Sequence, residues 1–304
     1  MTTPISFVLV TFHRPERLRK CLESVFAYLE AGDEVIVVDN GNSQAAAQTS
    51  EELGATYLAQ RENLGPGPGR NIGVQMATND LIFFLDDDAY LVSRPFTAEV
   101  ERLLQRPEVG AIGFPIMELS SSQILYASHE GRAKAFAAGA FLIKAKAFHE
   151  ANGFDPEIKW SEEFDLAVRL ANLGHQIHNV STPKVIHDSV NPINVPHSRK
   201  KLEAIFYGRI RTLLKSFSFR HVGVMAFRLF LTALAKNSPF RTIGGISVAT
   251  LFLIRDFPEI YRERAVLRKD VELFFVRPNL IEDELSVPLS SKAWRFLQRK
   301  LPQR

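Results

Sequence analysis

The chain contains 304 residues, of which 46% are hydrophobic and 23% charged, which is typical of a globular protein with one large domain or a domain plus an appendage. The net charge of +3 is too small to indicate nucleic-acid binding, so we predict no nucleic-acid partner. Cys21 is the single cysteine, which excludes an intramolecular disulfide and is typical of a reducing compartment. Its spacing from Leu18, Leu22 and Val25 predicts a buried core thiol.

The first half of the sequence alternates between short apolar runs and helical patterns. Residues 5–11, 34–40, 56–60 and 81–87 are β-rich and mostly apolar on both faces, as in parallel strands covered by helices. Residues 15–30 place apolar side chains on one helical stripe, with Pro15 in the first turn and Gly32 at the exit. This alternation predicts a doubly wound, mostly parallel α/β sheet of the Rossmann-like kind.

Polar segments follow three of the predicted strands. They are TFHR at 11–14, DNGN at 39–42 and DDDA at 86–89. A doubly wound sheet binds its ligands in the crevice beyond the carboxyl ends of its strands. We therefore predict that these segments bring functional groups to one crevice.

A glycine-rich segment, NLGPGPGRNIGVQMA at 63–77, precedes another predicted helix. Gly67 and Gly69 fit the first two positions of a dinucleotide fingerprint, but Ile72 stands at the third. A guanidinium at Arg70 beside backbone N–H groups favours an anion site. The alternative is a flexible loop that opens a helix.

Three consecutive carboxylates, Asp86, Asp87 and Asp88, end the strand predicted at 81–87. Such charges repel one another unless a cation or a positively charged partner is close. Alternate carboxylates suit Mg²⁺ or Mn²⁺, which prefer oxygen ligands. The pattern favours a metal that arrives with a diphosphate and balances this charge, although a solvated acidic loop is the plainer alternative.

The second half of the chain predicts a change of architecture. Less regular strands follow residue 106, and SEEFDLAVRLANLG predicts a helix with Ser161 as N-cap and Gly174 at its C-terminal end. Helices rich in Arg, Lys, Leu and Phe are predicted from about residue 198, before a partly extended tail at 278–304. We predict a first domain at 1–216 and a C-terminal helical region at 217–304 that faces the acceptor or a membrane.

The prediction of location depends on the apolar stretches. The N-terminus lacks the basic start and the cleavage site of a signal peptide, and the uncharged apolar stretch at 242–254 is shorter than the roughly 20 residues of a membrane span. We predict a cytoplasmic protein and leave open a peripheral contact at the inner face of the cell membrane. The basic residues that would then lie near anionic headgroups are Arg209, Arg211, Lys215, Arg220 and Arg228. Ordinary packed helices with a solvated basic face are the alternative.

Taken together, six motifs resemble the inverting GT-A glycosyltransferases of family 2. They are VLVTFHRPERLRKCLESV, VIVVDNGN, RENLGPGPGRNIGV, FFLDDDA, AAGAFLIKAKAFHEANGFDP and WSEEFDLAVRLANLG, in the family's order over about the first two thirds of the chain. The resemblance implies a GT-A fold and transfer of a hexosyl or deoxyhexosyl group from a UDP-, dTDP- or GDP-linked donor. It also implies Mn²⁺ or Mg²⁺ and a glycan or lipid-linked acceptor hydroxyl.

The resemblance also implies a role for individual residues. Glu163 is the expected base, at a position where many family members have Asp. Residues expected at the nucleotide sugar are Thr11, Phe12, Arg14, Asp39, Asn63, Arg70, Asp86 and Asp87. Residues expected on the acceptor side are Gly139, Ala140, Trp160, Glu162 and Asp165, with NGFDP closing that side. The expected metal ligands are Asp88, Asp86 and His187, although His187 could equally be a structural histidine.

Two other classes of protein stay open at this point. A nucleotidyltransferase also uses an α/β sheet and paired aspartates, but its Gly-rich loop usually follows the first strand, where TFHRPERL stands here. A non-catalytic nucleotide-sugar-binding scaffold would not need a base in SEEFD. The fold alone specifies neither donor nor acceptor.

Overall fold

A computed structural model describes residues 3–120, 122, 124–126, 130–188 and 197–276. The first part contains β1 (Ile5–Thr11), α1 (Pro15–Phe26), β2 (Glu34–Asp39), α2 (Gln44–Leu53), β3 (Thr56–Ala59), α3 (Pro66–Met76), β4 (Leu81–Asp86), β5 (Ala89–Leu91), α4 (Ala98–Leu104) and β6 (Val109–Gly113). The chain continues with β7 (Ile116–Glu118), β8 (Ile124–Tyr126), β9 (Gly131–Ala133), β10 (Ala140–Lys144), α5 (Ala145–Glu150), α6 (Glu162–Asn172), β11 (Gln176–Asn179) and β12 (Val185–His187). Four helices follow: α7 (Arg199–Ser216), α8 (Phe219–Lys236), α9 (Pro239–Arg262) and α10 (Lys269–Val276).

An eight-stranded sheet in the order β3-β2-β1-β4-β10-β6-β11-β9 forms the centre of the fold. Strands β3, β2, β1 and β4 are parallel, whereas β10 runs antiparallel between β4 and β6. The predicted mostly parallel α/β sheet with C-terminal helices is therefore confirmed. The carboxyl ends of β1, β2 and β4 lie side by side, with Thr11 opposite Asp39 and Val10 opposite Asp86.

A second sheet, in the order β5-β12-β7-β8, lies beyond the end of β4. Strand β5 follows the acidic run directly, and β12 pairs with it so that His187 lies opposite Ala89. On its other side, β12 places His187 opposite Glu118 of β7. This small sheet therefore brings His187 to the acidic run from a distant part of the sequence.

Apolar side chains cover both faces of the large sheet. One core includes the α1 stripe with Leu18, Cys21, Leu22 and Val25, which confirms the predicted buried thiol. Helix α1 ends at Phe26, four residues earlier than the pattern predicts. The reason is a turn in which the Asp33 carboxylate accepts a hydrogen bond from the backbone N–H of Glu30, which redirects the chain toward β2.

The glycines of 63–77 serve close packing of α3 on β1. A Cβ on Gly69 would lie 2.8 Å from Cγ1 of Val10, and a Cβ on Gly73 would overlap Val8. Both glycines are buried, so their small size lets the helix approach the strand. The loose likeness to a dinucleotide fingerprint thus reflects helix–strand packing at these positions.

Helices α7 to α10 pack on α6 and on one another. Phe164 and Val168 of α6 share a buried cluster with Leu213, Phe217, Val222, Val271 and Phe275. Helix α7 ends at the predicted domain border, and the division into 1–216 and 217–304 stays a prediction. The predicted tail at 278–304 lies outside the described residues. Among the helices described, none has the length and apolar character needed to cross a membrane.

Candidate functional site

The three aspartates at the end of β4 have different surroundings. The side chain of Asp86 is partly exposed, that of Asp87 is fully buried, and that of Asp88 is mostly buried. Arg14 contacts both Asp87 and Asp88, and Arg70 contacts Asp86. Guanidinium groups of the chain thus compensate part of this charge, and compensation of the rest by a metal stays a prediction.

Asp87 joins the ends of β1 and β4. The Thr11 hydroxyl donates to its Oδ2 over 2.6 Å, and Nη2 of Arg14 lies 2.6 Å from its Oδ1. Burial raises the pKa of Asp87 to about 7, against the opposing effect of Arg14. Asp87 was expected to contact the nucleotide, but its side chain is enclosed and instead holds Thr11 and Arg14 in place.

Asp86, Asp88 and His187 form a candidate metal centre. One ligand atom from each lies within 4.8 Å of the others. Two carboxylate oxygens and an imidazole nitrogen suit Mn²⁺, and they leave positions for phosphate oxygens and water. The residues expected to bind metal therefore meet at one place and fit such an ion.

The two ring nitrogens of His187 have different neighbours. Nε2 lies 3.2 Å from Oδ1 of Asp88, and the buried Nδ1 has no hydrogen-bond partner among the described residues. Oε2 of the buried Glu118 lies 3.8 Å from Nδ1. Burial alone would lower the pKa of His187. The hydrogen bond and negative charge of Asp88 outweigh burial, so the pKa of His187 is raised overall. With Nε2 toward the cluster, Nδ1 faces a carboxylate that can orient the ring.

Two guanidinium groups contact Asp88 on its other oxygen. Nη1 of Arg14 donates to Oδ2 of Asp88 over 2.8 Å, and Nη1 of Arg17 donates to it over 3.2 Å. Together with His187, Arg14 and Arg17 lower the pKa of Asp88 despite its burial. Arg17 was not predicted as a site residue, although its i+3 spacing from Arg14 at the start of α1 places both on one side of the helix. Glu118 was not predicted as a site residue either.

Arg70 lies between the acidic run and α6. Its Nη2 donates to Oδ1 of Asp86 over 2.8 Å, and its Nη1 donates to Oε1 of Glu162 over 3.0 Å. Arg70 was expected beside the base or diphosphate, but it is buried with both ends of its guanidinium on carboxylates. It therefore acts in this structure as a bridge that links the N-terminus of α6 to Asp86, an expected metal ligand.

The three acids at the start of α6 divide into two that are enclosed and one that is not. Glu162 is buried against Arg70, and burial raises its pKa. Asp165 is fully buried, accepting two bonds from Arg169 and one from the Thr212 hydroxyl. Both were expected on the acceptor side, but they hold α6 against α3 and α7. Glu163 is half-buried in the first turn.

Helix α6 begins after Ser161, as predicted, but not by side-chain capping. Ser161 has φ +69, and its side chain makes no capping hydrogen bond. The backbone there is positioned by neighbours instead, since Gly208 of α7 packs against the backbone of Trp160. Gly174, with φ +95, directly follows the C-cap Leu173.

The side of the crevice where the nucleotide is expected contains an exposed aromatic ring and a buried carboxylate. Phe12 is exposed after β1, with its ring 4.2 Å from that of His13. Asp39 is buried, accepting hydrogen bonds from the N–H groups of Gly41 and Ser43 and from the Tyr57 hydroxyl. Asn63 is exposed and accepts from the N–H of Gly65. Asp39 and Asn63 thus shape the loops that border this side.

The remaining expected acceptor residues are dispersed. A Cβ on Gly139 would lie 2.5 Å from Oδ2 of Asp86, so this glycine gives room to the carboxylate. Ala140 is fully buried in β10 and cannot contact an acceptor directly. Trp160 is exposed, with the Nζ of Lys201 4.3 Å from its ring centre. Of these three, only Trp160 presents its side chain to solvent.

Known proteins show the same architecture. The crystal structure of GalNAc-T7 with UDP, GalNAc and Mn²⁺ aligns at a TM-score of 0.62 and 13% identity over 85% of this chain and 58% of that one. The mannosyltransferase PcManGT from Pyrobaculum calidifontis, solved with GDP-Man and Mn²⁺, aligns at 0.53 and 14% identity over 89% and 82%. The fold is that of the GT-A glycosyltransferases.

The sequence comparison shows a resemblance to one family. Residues 6–150, just under half of the chain, match the model of Glycosyl transferase family 2. An uncharacterized glycosyltransferase of Haemophilus influenzae is 22% identical over 185 residues, which cover 55% of this chain and 61% of that protein. The chain thus spans somewhat less than two thirds of this relative's length.

Proposed function

We propose that the protein is a metal-dependent, inverting glycosyltransferase that moves a hexosyl or deoxyhexosyl group from a nucleotide-diphosphate sugar to an acceptor hydroxyl. The observation that carries the proposal is the meeting of Asp86, Asp88 and His187 at the carboxyl end of β4. The match to the Glycosyl transferase family 2 model supports this choice of substrate, as do the UDP and GDP-Man bound in the two aligned structures. The acceptor would be a glycan or a lipid-linked compound in glycan, polysaccharide or glycolipid synthesis.

The donor would lie across the carboxyl ends of β1, β2 and β4. Phe12 offers an exposed ring for the base, while the loops held by Asp39 and Asn63 border the nucleotide. Arg14, partly exposed, is close enough to Asp88 for its guanidinium to turn toward a diphosphate. Asp86, Asp88 and His187 would hold Mn²⁺ or Mg²⁺, which neutralises charge on the leaving diphosphate.

Glu163 is our candidate for the general base. Arg70 holds the first turn of α6 beside Asp86, and Glu162 and Asp165 are engaged in buried pairs. Successive helical residues point about 100° apart, so Glu163 projects away from the Arg70 bridge. There it would remove the hydroxyl proton as the acceptor oxygen attacks the anomeric carbon. A single displacement of this kind inverts the anomeric configuration.

The first prediction concerns Glu163→Gln. Gln retains size and hydrogen bonding but cannot take the proton, so the single-turnover rate should fall by roughly 10²–10⁴-fold. Donor affinity and melting temperature should stay close to those of the unaltered protein. Glu51→Gln is the matched control, because Glu51 is an exposed acid near the C-terminal end of α2. Near-normal transfer by a folded Glu163→Gln protein would remove Glu163 as the base.

Donor and reaction class can be determined together. Melting curves with UDP-, dTDP- and GDP-sugars and Mn²⁺ would identify the donor, because a ligand that binds the native state stabilises it. Glycosyl transfer from the nucleotide sugar to an acceptor then releases a nucleoside diphosphate, whereas nucleotidyl transfer from the same donor would release a sugar phosphate. Donor binding without release of either would favour the scaffold. Only nucleoside diphosphate with a product of inverted anomeric configuration agrees with our proposal.

A further inference from the structure

Helices α8 and α9 carry an unusual amount of exposed apolar surface. Nine of the seventeen exposed large hydrophobic side chains among the described residues lie on these two helices. Phe240 is 87% exposed, Leu251 66% and Ile254 67%. Side chains scattered singly over a surface need no explanation, but a concentration of this kind marks a contact site.

These side chains follow helical periodicity. On α9, Ile243, Leu251, Ile254 and Tyr261 are separated by three, seven or eight residues and so share one side of the helix. On α8, Phe219 and Phe227 are eight residues apart and exposed in the same way. The opposite side of α9 contributes the buried Ala249 to the cluster with α7, to which α8 contributes Ala233. Helix α9 thus has a second apolar face that is exposed, and α8 adds exposed rings beside it.

An open apolar groove joins the two helices. It has a volume of about 900 Å³, with α7 contributing Phe206, α8 contributing Phe230, and α9 contributing Ile246, Leu253 and Phe257. Apart from Ser247 and Thr250, its lining is apolar. A space of this size and chemistry suits hydrocarbon chains.

The charged side chains of α8 and of most of α9 are basic. Residues 217–255 contain five basic residues and no acidic one. Two of the basic residues, Arg220 and Arg241, are exposed and directly follow the exposed Phe219 and Phe240. Adjacent apolar and basic side chains suit an interface in which rings enter hydrocarbon and guanidinium groups stay at anionic headgroups.

From these contacts and charges we infer that α8 and α9 dock on the surface of a bilayer containing anionic lipids, with acyl chains against the groove. A second copy of this chain fits the surface less well, because pairing would bring two basic rims together. The inference goes beyond sugar transfer and does not depend on it.

The structure also changes which basic residues face the lipid. Arg211 and Lys215 are engaged with Asp155 and Glu263, and the buried Arg209 stacks on Phe164. The expectation that these three lie near headgroups is therefore wrong. Arg220 was expected at the headgroups and is exposed, as is Arg241, whereas the half-buried Arg228 donates to the backbone carbonyl of Val276.

Vesicle flotation tests the inference with the full-length chain and no donor, so failure would leave the proposed chemistry untouched. The unaltered protein should float with phosphatidylcholine vesicles that contain phosphatidylglycerol, and binding should weaken as salt rises. Leu251→Glu/Ile254→Glu should reduce the partition constant at least tenfold, because two exposed apolar groups are lost. Met76→Glu/Val92→Glu is the matched control, since these residues are 47% and 49% exposed elsewhere in the fold.

Two further variants locate the contact. Arg220→Gln/Arg241→Gln should weaken binding to the anionic vesicles roughly fivefold for each residue changed. A polarity-sensitive dye on Phe240→Cys should shift to the blue with these vesicles. Cys21 is fully buried, so labelling should be selective for the introduced thiol.

Three results would overturn the inference. One is failure of the unaltered protein to bind the vesicles that contain phosphatidylglycerol. Another is equal flotation of Leu251→Glu/Ile254→Glu and the unaltered protein. The third is a lipid-free dimer, seen by analytical ultracentrifugation, that the same double substitution separates while vesicle binding is absent.

Discussion

Asp86, Asp87 and Asp88 are adjacent in sequence, yet their roles differ because Asp86 ends β4, whereas Asp87 and Asp88 lie in the turn that leads to β5. Asp87 turns toward Thr11 and Arg14 and is enclosed, whereas Asp86 and Asp88 turn toward His187. Arg70 and Arg14 then supply positive charge on either side. A single substitution in this run therefore affects either packing or ligand binding, depending on its position.

Asp88→Asn should abolish the metal-dependent part of donor binding while the fold persists. The substitution removes an anionic oxygen from the candidate metal centre, and the two guanidinium groups that lose their partner are both partly exposed. Calorimetry with the identified donor, with and without Mn²⁺, measures the effect. Asp80→Asn is the control, because Asp80 is exposed just before the other end of β4. Unchanged metal-dependent affinity in Asp88→Asn would exclude Asp88 from the metal centre.

At the scale of elements, a network of charges attaches the segment before α6 to α7 and α9. Asp155 lies 3.3 Å from Nε of Arg211 and 2.9 Å from Nζ of Lys215. These cations also reach Glu259 and Glu263 of the α9 end. On the other side of this segment, the Asn71 amide holds the backbone N–H and C=O of Phe154. Helix α3, α6 and the C-terminal helices are thereby coupled through NGFDP.

The pH dependence of stability should reveal this network. Burial alone would raise the pKa of Asp155. The positive charges of Lys215 and Arg211 outweigh burial, so the pKa of Asp155 is lowered overall. The stabilisation is therefore present above the unfolded pKa, about 3.9, and is lost as pH falls through the lower folded value. At neutral pH, Asp155→Asn should reduce the free energy of unfolding by about 3 kcal/mol, since Arg211 is left partly unpaired in a buried position.

Urea unfolding at a series of pH values measures this difference. The difference in free energy of unfolding between the unaltered protein and Asp155→Asn should shrink progressively below about pH 4. Asp270→Asn is the control, because its partner Arg268 is 3.6 Å away at an exposed site. A destabilisation by Asp155→Asn that stays constant from neutral to acid pH would contradict the assigned ion pairs.

At the scale of the whole molecule, the C-terminal helices complete a core that belongs to the catalytic part. Phe217, Val222, Val271 and Phe275 cover Phe164 on α6, the residue next to Glu163. Lys134, buried near β9, donates to the backbone carbonyl of Phe275. The helix that carries the proposed base is therefore stabilised from both sides.

Truncation after residue 216 should consequently cost stability as well as remove α8 to α10. Exposing Phe164 and Val168 should lower the free energy of unfolding by about 3–6 kcal/mol. Truncation after residue 276 is the control, because it keeps all the described helices. Equal stability of the two truncated chains in urea would instead support an independent unit at 1–216.

The elements of the first half could be predicted because their signals are local. Runs of β-branched and aromatic residues mark β1, β2 and β4, and the apolar stripe marks α1, since these patterns depend only on which faces are buried. The acidic run and SEEFD were identifiable for a similar reason, as charges placed directly after a strand or at the start of a helix.

Tertiary structure decided which partners each charge meets. The acidic run indicated a metal, and the resemblance to family 2 implied Asp86, Asp88 and His187 as its ligands, but only the pairing of β12 with β5 brings them together. The position of Arg70 between Asp86 and Glu162, and the enclosure of Asp87 and Asp165, depend on segments that return from far along the chain. Local periodicity reports burial, whereas the choice of partner is settled by long-range packing and the need to compensate buried charge.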